Sequence, residues 1–161
     1  ISTRLFCYSF FDRQLIMRGF DLRQGREFLS LKDISVSELE VEVITPVSEA
    51  ATGEEMVAHL RASNRTEAYV VDTEGKLLGV VPILTALAAQ NSAASSLINA
   101  DYLVLKLSDD LQQALSVARQ FVGEAIPVID DSGALAGCIS EGAILGGTLD
   151  RQEEVKGRER N

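Results

Sequence analysis

The chain is 161 residues long and carries a formal net charge of −9 at pH 7, which argues against nucleic acid as a partner because nucleic acid selects basic surfaces. Hydrophobic residues make up 46% and charged residues 24%, as in an ordinary globular protein, and no run of about 18 apolar residues is present to cross a membrane. The length admits one compact domain or two small fused ones, and two small ones would need a shared core.

Residues 1–32 differ in character from the rest. Arg4, Arg13, Arg18, Arg23, Arg26 and Lys32 outnumber Asp12, Asp21 and Glu27, and Phe6, Tyr8, Phe10, Phe11 and Phe20 hold most of the aromatic side chains. Aromatic rings mixed with Arg suit the cytoplasmic edge of a membrane. The alternative is an amphipathic helix packed on the remainder of the chain or on a partner subunit. The start at Ile1, with neither Met nor signal peptide, reads as the start of a fragment cut from a longer protein. Cys7 and Cys138 show no metal or redox spacing and read as free thiols of a reducing compartment.

A duplicated unit follows. Val41 to Val47 is a strand-like run, and Thr52-Gly53-Glu54-Glu55 is a capping box that opens a helix with Met56, Val57 and Leu60 on one face. Ala68 to Val71 and Val80-Val81 flank the turn Asp72-Thr73-Glu74-Gly75-Lys76-Leu77-Leu78-Gly79, which predicts a β-hairpin. Pro82 suits the first position of a further helix. Gln90 to Ser96 is a linker of small residues, short enough to make the two units neighbours.

The second copy repeats the order. Tyr102 to Leu107 is strand-like, and Ser108-Asp109-Asp110 places a capping hydroxyl and two acids at a helix start. Leu111, Ala114, Leu115 and Ala118 then share a face. Ile126 to Ile129 and Cys138-Ile139 flank a second turn, Asp130-Asp131-Ser132-Gly133-Ala134-Leu135-Ala136-Gly137, and Ser140 can cap the helix that follows. Asp, Gly, Leu and Gly recur in the two turns about 58 residues apart, a spacing typical of repeated supersecondary units. The fold class is therefore α/β (α+β), with a β-α-β-β-α unit used twice. Asp150 to Asn161 is charged, nearly free of apolar residues, and predicts a flexible tail.

Signals for catalysis are weak. His59 is the single histidine and has no nearby cluster of Cys or carboxylates at metal spacing. No Gly-x-x-x-x-Gly-Lys-Ser/Thr loop is present to cradle phosphates, and Gly142, Gly146 and Gly147 lack the context of a dinucleotide fingerprint. The residues thus predict no catalytic activity, no catalytic residue and no metal site.

The twofold Asp-x-x-Gly-x-Leu-x-Gly turn in matching contexts resembles a tandem pair of cystathionine-β-synthase-type (CBS) domains, over roughly Val36 to Leu149. The resemblance implies a pseudo-twofold pair with clefts between the repeats, of the kind that in many members holds adenine nucleotides. It divides the chain into a juxtamembrane helix and linker (1–32), a first repeat (33–90), a second repeat (91–149) and the charged tail (150–161). In nucleotide-binding members the hairpin leads into Gly-x-x-Ser/Thr-x-x-Asp, whose acid accepts the ribose hydroxyls. Here the first repeat reads Gly79-Val80-Val81-Pro82-Ile83-Leu84-Thr85, and the second reads Gly137-Cys138-Ile139-Ser140-Glu141-Gly142-Ala143. The second keeps the hydroxyl and lacks the acid, since Glu141 stands two places early, about 200° around a helix. The resemblance implies a vestigial cleft of Thr45, Arg65, Thr66 and Ser140, and weak or absent ATP or AMP binding.

Ser9-Phe10-Phe11-Asp12-Arg13-Gln14-Leu15-Ile16-Met17-Arg18-Gly19 is similar to the linker that leaves the last membrane helix of CLC chloride channels and chloride/proton antiporters, ahead of a CBS pair. This resemblance implies a regulatory module at the cytoplasmic face of the cell membrane, modulating chloride transport by a voltage-gated channel or an antiporter. Its partners would be the transmembrane pore domain of the same chain and a second copy in a homodimer, with an adenine nucleotide as the candidate ligand. The alternative is a nucleotide-sensing CBS module of a soluble enzyme or a free-standing cytosolic sensor.

Overall fold

The computed structural model describes residues 31–158. Most of the basic, aromatic segment over 1–32, including Cys7 and the linker Ser9–Gly19, lies outside the described residues. Two short 3-10 turns, Leu31–Asp33 and Val36–Glu38, lead in. The first repeat then runs β1 (Val47–Ser48), α1 (Gly53–Ser63), β2 (Glu67–Val71), β3 (Leu77–Pro82) and α2 (Ile83–Ala88). A single-turn helix, α3 (Ala94–Leu97), stands where a linker was expected. The second repeat follows as β4 (Leu105–Lys106), α4 (Leu111–Ala118), β5 (Ile126–Ile129), β6 (Leu135–Ile139) and α5 (Glu141–Arg158).

Each repeat forms its own three-stranded sheet, β1-β2-β3 and β4-β5-β6, with a parallel first pair and an antiparallel second pair. The registers correspond: Val47 lies opposite Val70 and Leu105 opposite Val128, while Gly79 lies opposite Val70 and Gly137 opposite Val128. The strands over 41–47 and 102–107 are shorter than their apolar runs suggest. Pro46 has no N–H for the ladder, and Glu42 pairs across the molecule with Cys138 instead.

Local chemistry accounts for the element starts. The Thr52 hydroxyl accepts from Glu55 N at 3.3 Å, and Glu55 Oε2 accepts from Thr52 N at 2.7 Å, which satisfies two donors of the first turn of α1. In the second repeat the cap is Asp110, whose carboxylate accepts from Gln113 N at 2.8 Å. Ser108 instead donates to Asp131 at 2.9 Å, and Asp109 accepts from Lys106 N at 2.8 Å. Pro82 ends β3 and caps α2, one place earlier than expected. The helix α5 continues to Arg158, so the charged stretch from Asp150 is helical over most of its length. Its Arg, Gln, Glu and Lys residues are good helix formers, and they extend the helix that Ile144 and Leu145 anchor in the core.

The two repeated turns meet each other. Asp72 Oδ1 accepts from Glu74 N and Lys76 N at 2.8 and 2.9 Å, and Asp130 Oδ1 accepts from Ser132 N and Ala134 N at 2.8 and 3.0 Å. The hydrogen bond from the Ser132 hydroxyl, with those from the backbone, holds the Asp130 carboxyl below its ordinary range. Leu77 N donates to Gly133 O at 3.1 Å and Leu135 N to Gly75 O at 3.0 Å, which ties the hairpin tips together across the pseudo-twofold. Gly75 and Gly133 have φ of 82° and 89°, a region open to glycine at little cost. A methyl group at either position would meet no atom within 4 Å, so Gly133→Ala should cost only the backbone term, about 1–2 kcal/mol. Urea unfolding checks this, and a neutral result would show that the turn relaxes freely.

The core has three parts. Met56, Leu60, Val70 and Val81 centre the first repeat, and Leu105, Leu111, Leu115, Ile126 and Ile139 centre the second. Tyr69, Val80, Ala125 and Cys138 form a third cluster drawn from both repeats. The lead-in departs from its expected place. Leu31 and Val36 are fully buried in the second repeat's core, although they lie ahead of β1 in the chain. Val36 N donates to Asp109 O and Leu111 N to Ile34 O, both at 2.8 Å. Among the described residues, no helix is long and apolar enough to cross a membrane.

Candidate ligand clefts between the repeats

Two recesses flank the shared cluster. The first, about 250 Å³, lies against Val80, Pro82 and Glu67 of the first repeat and Tyr102, Phe121 and Pro127 of the second. The other, about 210 Å³, lies against Glu42, Thr45, His59, Ser63, Arg65 and Tyr69. Beyond Phe28 the chain has three aromatic residues, Tyr69, Tyr102 and Phe121, and all three line these recesses.

The four residues singled out from the sequence do not converge on one site. Thr45 and Arg65 share the second recess. The Thr45 carbonyl is 3.1 Å from His59 Nε2. Arg65 Nη2 is 2.6 Å from Glu42 Oε1 and its Nη1 is 3.5 Å from Glu124 Oε1. Glu124 Oε2 also accepts from the Thr66 N–H and hydroxyl, both at 2.8 Å, so Thr66 is committed to holding Glu124. Arg65 thereby spans the second recess as an ion-paired strut. Ser140 lies apart. Its hydroxyl accepts from Ala143 N at 3.1 Å at the start of α5. It opens onto a third recess, of about 450 Å³, with Glu38, Leu39, Glu40 and Gly142.

The first recess is built of residues that the motif comparison did not select. Glu67, Asn99, Asp101 and Gln120 supply its polar groups, and among the described residues no Lys or Arg lines it. Burial pushes the Glu67 carboxyl and the Tyr102 hydroxyl up from their ordinary ranges. Val122, 94% exposed, lies at this recess. Tyr102 and Phe121 also pack against core clusters, so nothing in the sequence separates a ring that lines the recess from one that only fills the core.

The buried wall between the recesses has a pH signature. Tyr69 donates to Ala125 O at 2.9 Å. Burial pushes both the Tyr69 hydroxyl and the Cys138 thiol above their ordinary ranges. A raised pKa in the folded state keeps these protons while the unfolded chain releases them. Stability from each group is present below its unfolded value, near 10 for Tyr and 9 for Cys, and falls as pH rises toward the folded value. Above pH 10 the Tyr69 contribution should decline by about 1.4 kcal/mol per pH unit. Denaturation between pH 8 and 11 should show this slope in the wild type and a shallower one in Tyr69→Phe. Equal slopes would dismiss the effect.

No family model matches the chain. A curated relative, homoserine O-acetyltransferase of Methanohalophilus mahii, is 27% identical over 117 residues, which is 71% of this chain and 24% of that protein. The chain thus spans about a quarter of the length of the curated relative it matches. A CBS domain pair/ACT domain protein of Thermotoga maritima is 26% identical, with a TM-score of 0.63, over 73% of this chain and 98% of that one. The cytosolic domain of the Mg2+ channel MgtE in complex with ATP has a TM-score of 0.64 at 22% identity, over 83% of this chain and 57% of that one.

Fold and comparisons define the class: the chain has the fold of a CBS domain pair. The curated relative corrects one expectation. A predicted lack of catalytic activity does not hold against a named enzyme containing a segment similar to most of this chain. The physical reason is that a fold without a catalytic motif says nothing of the chemistry carried by the rest of a longer polypeptide.

Proposed function

We propose that this CBS pair is a regulatory module, in which a small ligand held between the repeats biases the protein to which the module is attached. The observation that carries the reading is the first recess, an open cleft between two repeats whose walls include two of the three aromatic residues beyond Phe28. The ATP complex of the similar MgtE domain supports it. Such a ligand regulates only if its affinity differs between two states of the whole protein.

In its finer form the reading is the cytoplasmic module of a CLC-type channel or antiporter, set at the membrane face beside a pore domain of the same chain. The similarity of Ser9–Gly19 to the CLC linker, directly ahead of the repeats, supports it. A homodimer fits the exposed apolar side chains of α2, where Leu84 is 75% exposed. Weak binding of ATP or AMP fits a first recess that no Lys or Arg of the described residues lines. The second reading, favoured by the curated relative, is a regulatory segment of an enzyme chain.

Liposomes containing the full-length protein separate the two. Chloride efflux that changes when residues 31–158 are deleted supports the channel reading. Absence of efflux together with acetyl transfer to homoserine would replace it by the second. Efflux indifferent to the deletion would remove the regulatory role.

A further inference from the structure

The contact between the repeats is closed at its two ends by different chemistry. β2 and β5 each run from one end to the other, with Thr66 and Glu124 ahead of them and the Asp72 and Asp130 turns behind. At the turn end the ties are backbone hydrogen bonds, Leu77 N to Gly133 O and Leu135 N to Gly75 O. At the other end they run through side chains. Glu124 Oε2 accepts from the Thr66 N–H and hydroxyl at 2.8 Å, and Glu124 Oε1 lies 3.5 Å from Arg65 Nη1. Glu67 Oε2 accepts in return from Glu124 N at 3.4 Å. Residues 66 and 124 are equivalent positions of the two repeats, as Gly79 and Gly137 are, so this end closes on the pseudo-twofold itself.

The second repeat reaches across this end chiefly through one side chain. In the loop ahead of β5, Val122 is exposed, and Gly123 presents bare backbone, where a methyl group would stand 3.1 Å from Glu67 Oε2. The Tyr69 hydroxyl adds one neutral bond, to Ala125 O. Hydrogen bonds to a carboxylate are about twice as strong as neutral ones, so Glu124 carries the larger share. The fastening is also opposed from within. Burial, and in addition the charge of Glu124, push the Glu67 carboxyl up from its ordinary range, against the hydrogen bond from Glu124 N. Between the two ends lie only Tyr69, Val80, Ala125 and Cys138 as buried apolar contacts, while each repeat keeps a larger core of its own.

We infer that the two repeats hinge on their hairpin tips and that Glu124 is the clasp of this hinge, so that its release parts the faces around Cys138 while each repeat stays folded. The device is independent of which protein the module is attached to. Glu67 borders both recesses, Phe121 the first and Arg65 the second, so opening at the clasp widens both together.

Labelling of the Cys138 thiol by N-ethylmaleimide tests this, in the 161-residue chain carrying Cys7→Ser and over a urea series below the unfolding transition. Cys138 is buried, so its labelling reports opening. Labelling through a local opening is nearly independent of urea, whereas labelling through global unfolding follows the full slope of the unfolding curve. The expected result is a urea-independent rate that Glu124→Ala raises at least about tenfold and Thr66→Val raises as well. Glu67→Gln, which removes the opposing charge and little volume, should lower it. Gly133→Ala, at the hinge, should change only the urea-dependent part. Labelling that follows the full unfolding slope in both the wild type and Glu124→Ala would overturn the hinge. A urea-independent rate that Gly133→Ala raises as much as Glu124→Ala, or that Glu67→Gln fails to lower, would overturn the assignment of the clasp.

Discussion

Leu31→Ala is expected to destabilise the protein by about 2–5 kcal/mol, the range for removing a fully buried leucine and leaving a cavity. Leu31 is 1% exposed and Val36 is 0% exposed, and both sit in the second repeat's core with Leu111, Leu115 and Ile144. Typical domains have about 5–15 kcal/mol in total, so the loss is a large share for one residue outside the regular repeat. The expected pattern under truncation follows. A chain beginning at Leu31 should unfold cooperatively, whereas one beginning at Glu40 should lose the second repeat's packing, because Ile34, Val36 and Leu39 go with it. Urea denaturation followed by circular dichroism measures both. A Glu40 start as stable as a Leu31 start would show that the lead-in merely rests on the core.

Gly137→Ala should cost about 2–6 kcal/mol, more than the effect at Gly133, though both glycines belong to the same repeated turn motif. At Gly137 a methyl group would run into the Glu42 carbonyl oxygen and stand 3.0 Å from Val41 Cγ1. Glu42 and Cys138 exchange two backbone hydrogen bonds of 2.8 and 2.9 Å at this crossing. The substitution therefore combines overpacking, about 1–3 kcal/mol, with hydrogen bonds of about 0.5–1.5 kcal/mol each. Gly79 occupies the equivalent crossing, where a methyl group would meet Ile98 and lie 2.7 Å from Asn99 O. Gly79→Ala should behave alike, and the wild-type chain should outlast both variants in guanidinium. A loss below about 1 kcal/mol at Gly137 would mean that the crossing strand gives way without cost.

The two variants also mark a boundary in what a motif can convey. Gly133 is demanded by its own dihedral angle, a property of the turn itself. Gly137 is demanded by the backbone of residue 42, which lies far away in sequence. Both read as the same letter in a repeated turn, and only the packed structure separates a local reason from a distant one.

The sequence by itself determined the elements whose causes are local. The paired hairpins, the Thr52–Glu55 capping box and the apolar face of Leu111, Ala114, Leu115 and Ala118 depend on neighbours within a few residues. They appear where the spacing placed them. Tertiary structure decided where Leu31 and Val36 are buried, which cleft stays open and which is spanned by Arg65. Those outcomes depend on partners such as Glu42 and Glu124, 23 and 59 residues from Arg65. The chemistry of a side chain limits its partners to groups of opposite charge or matching polarity. Only the packing of the two repeats brings one such group, among the many carboxylates of an acidic chain, to the end of the Arg65 side chain.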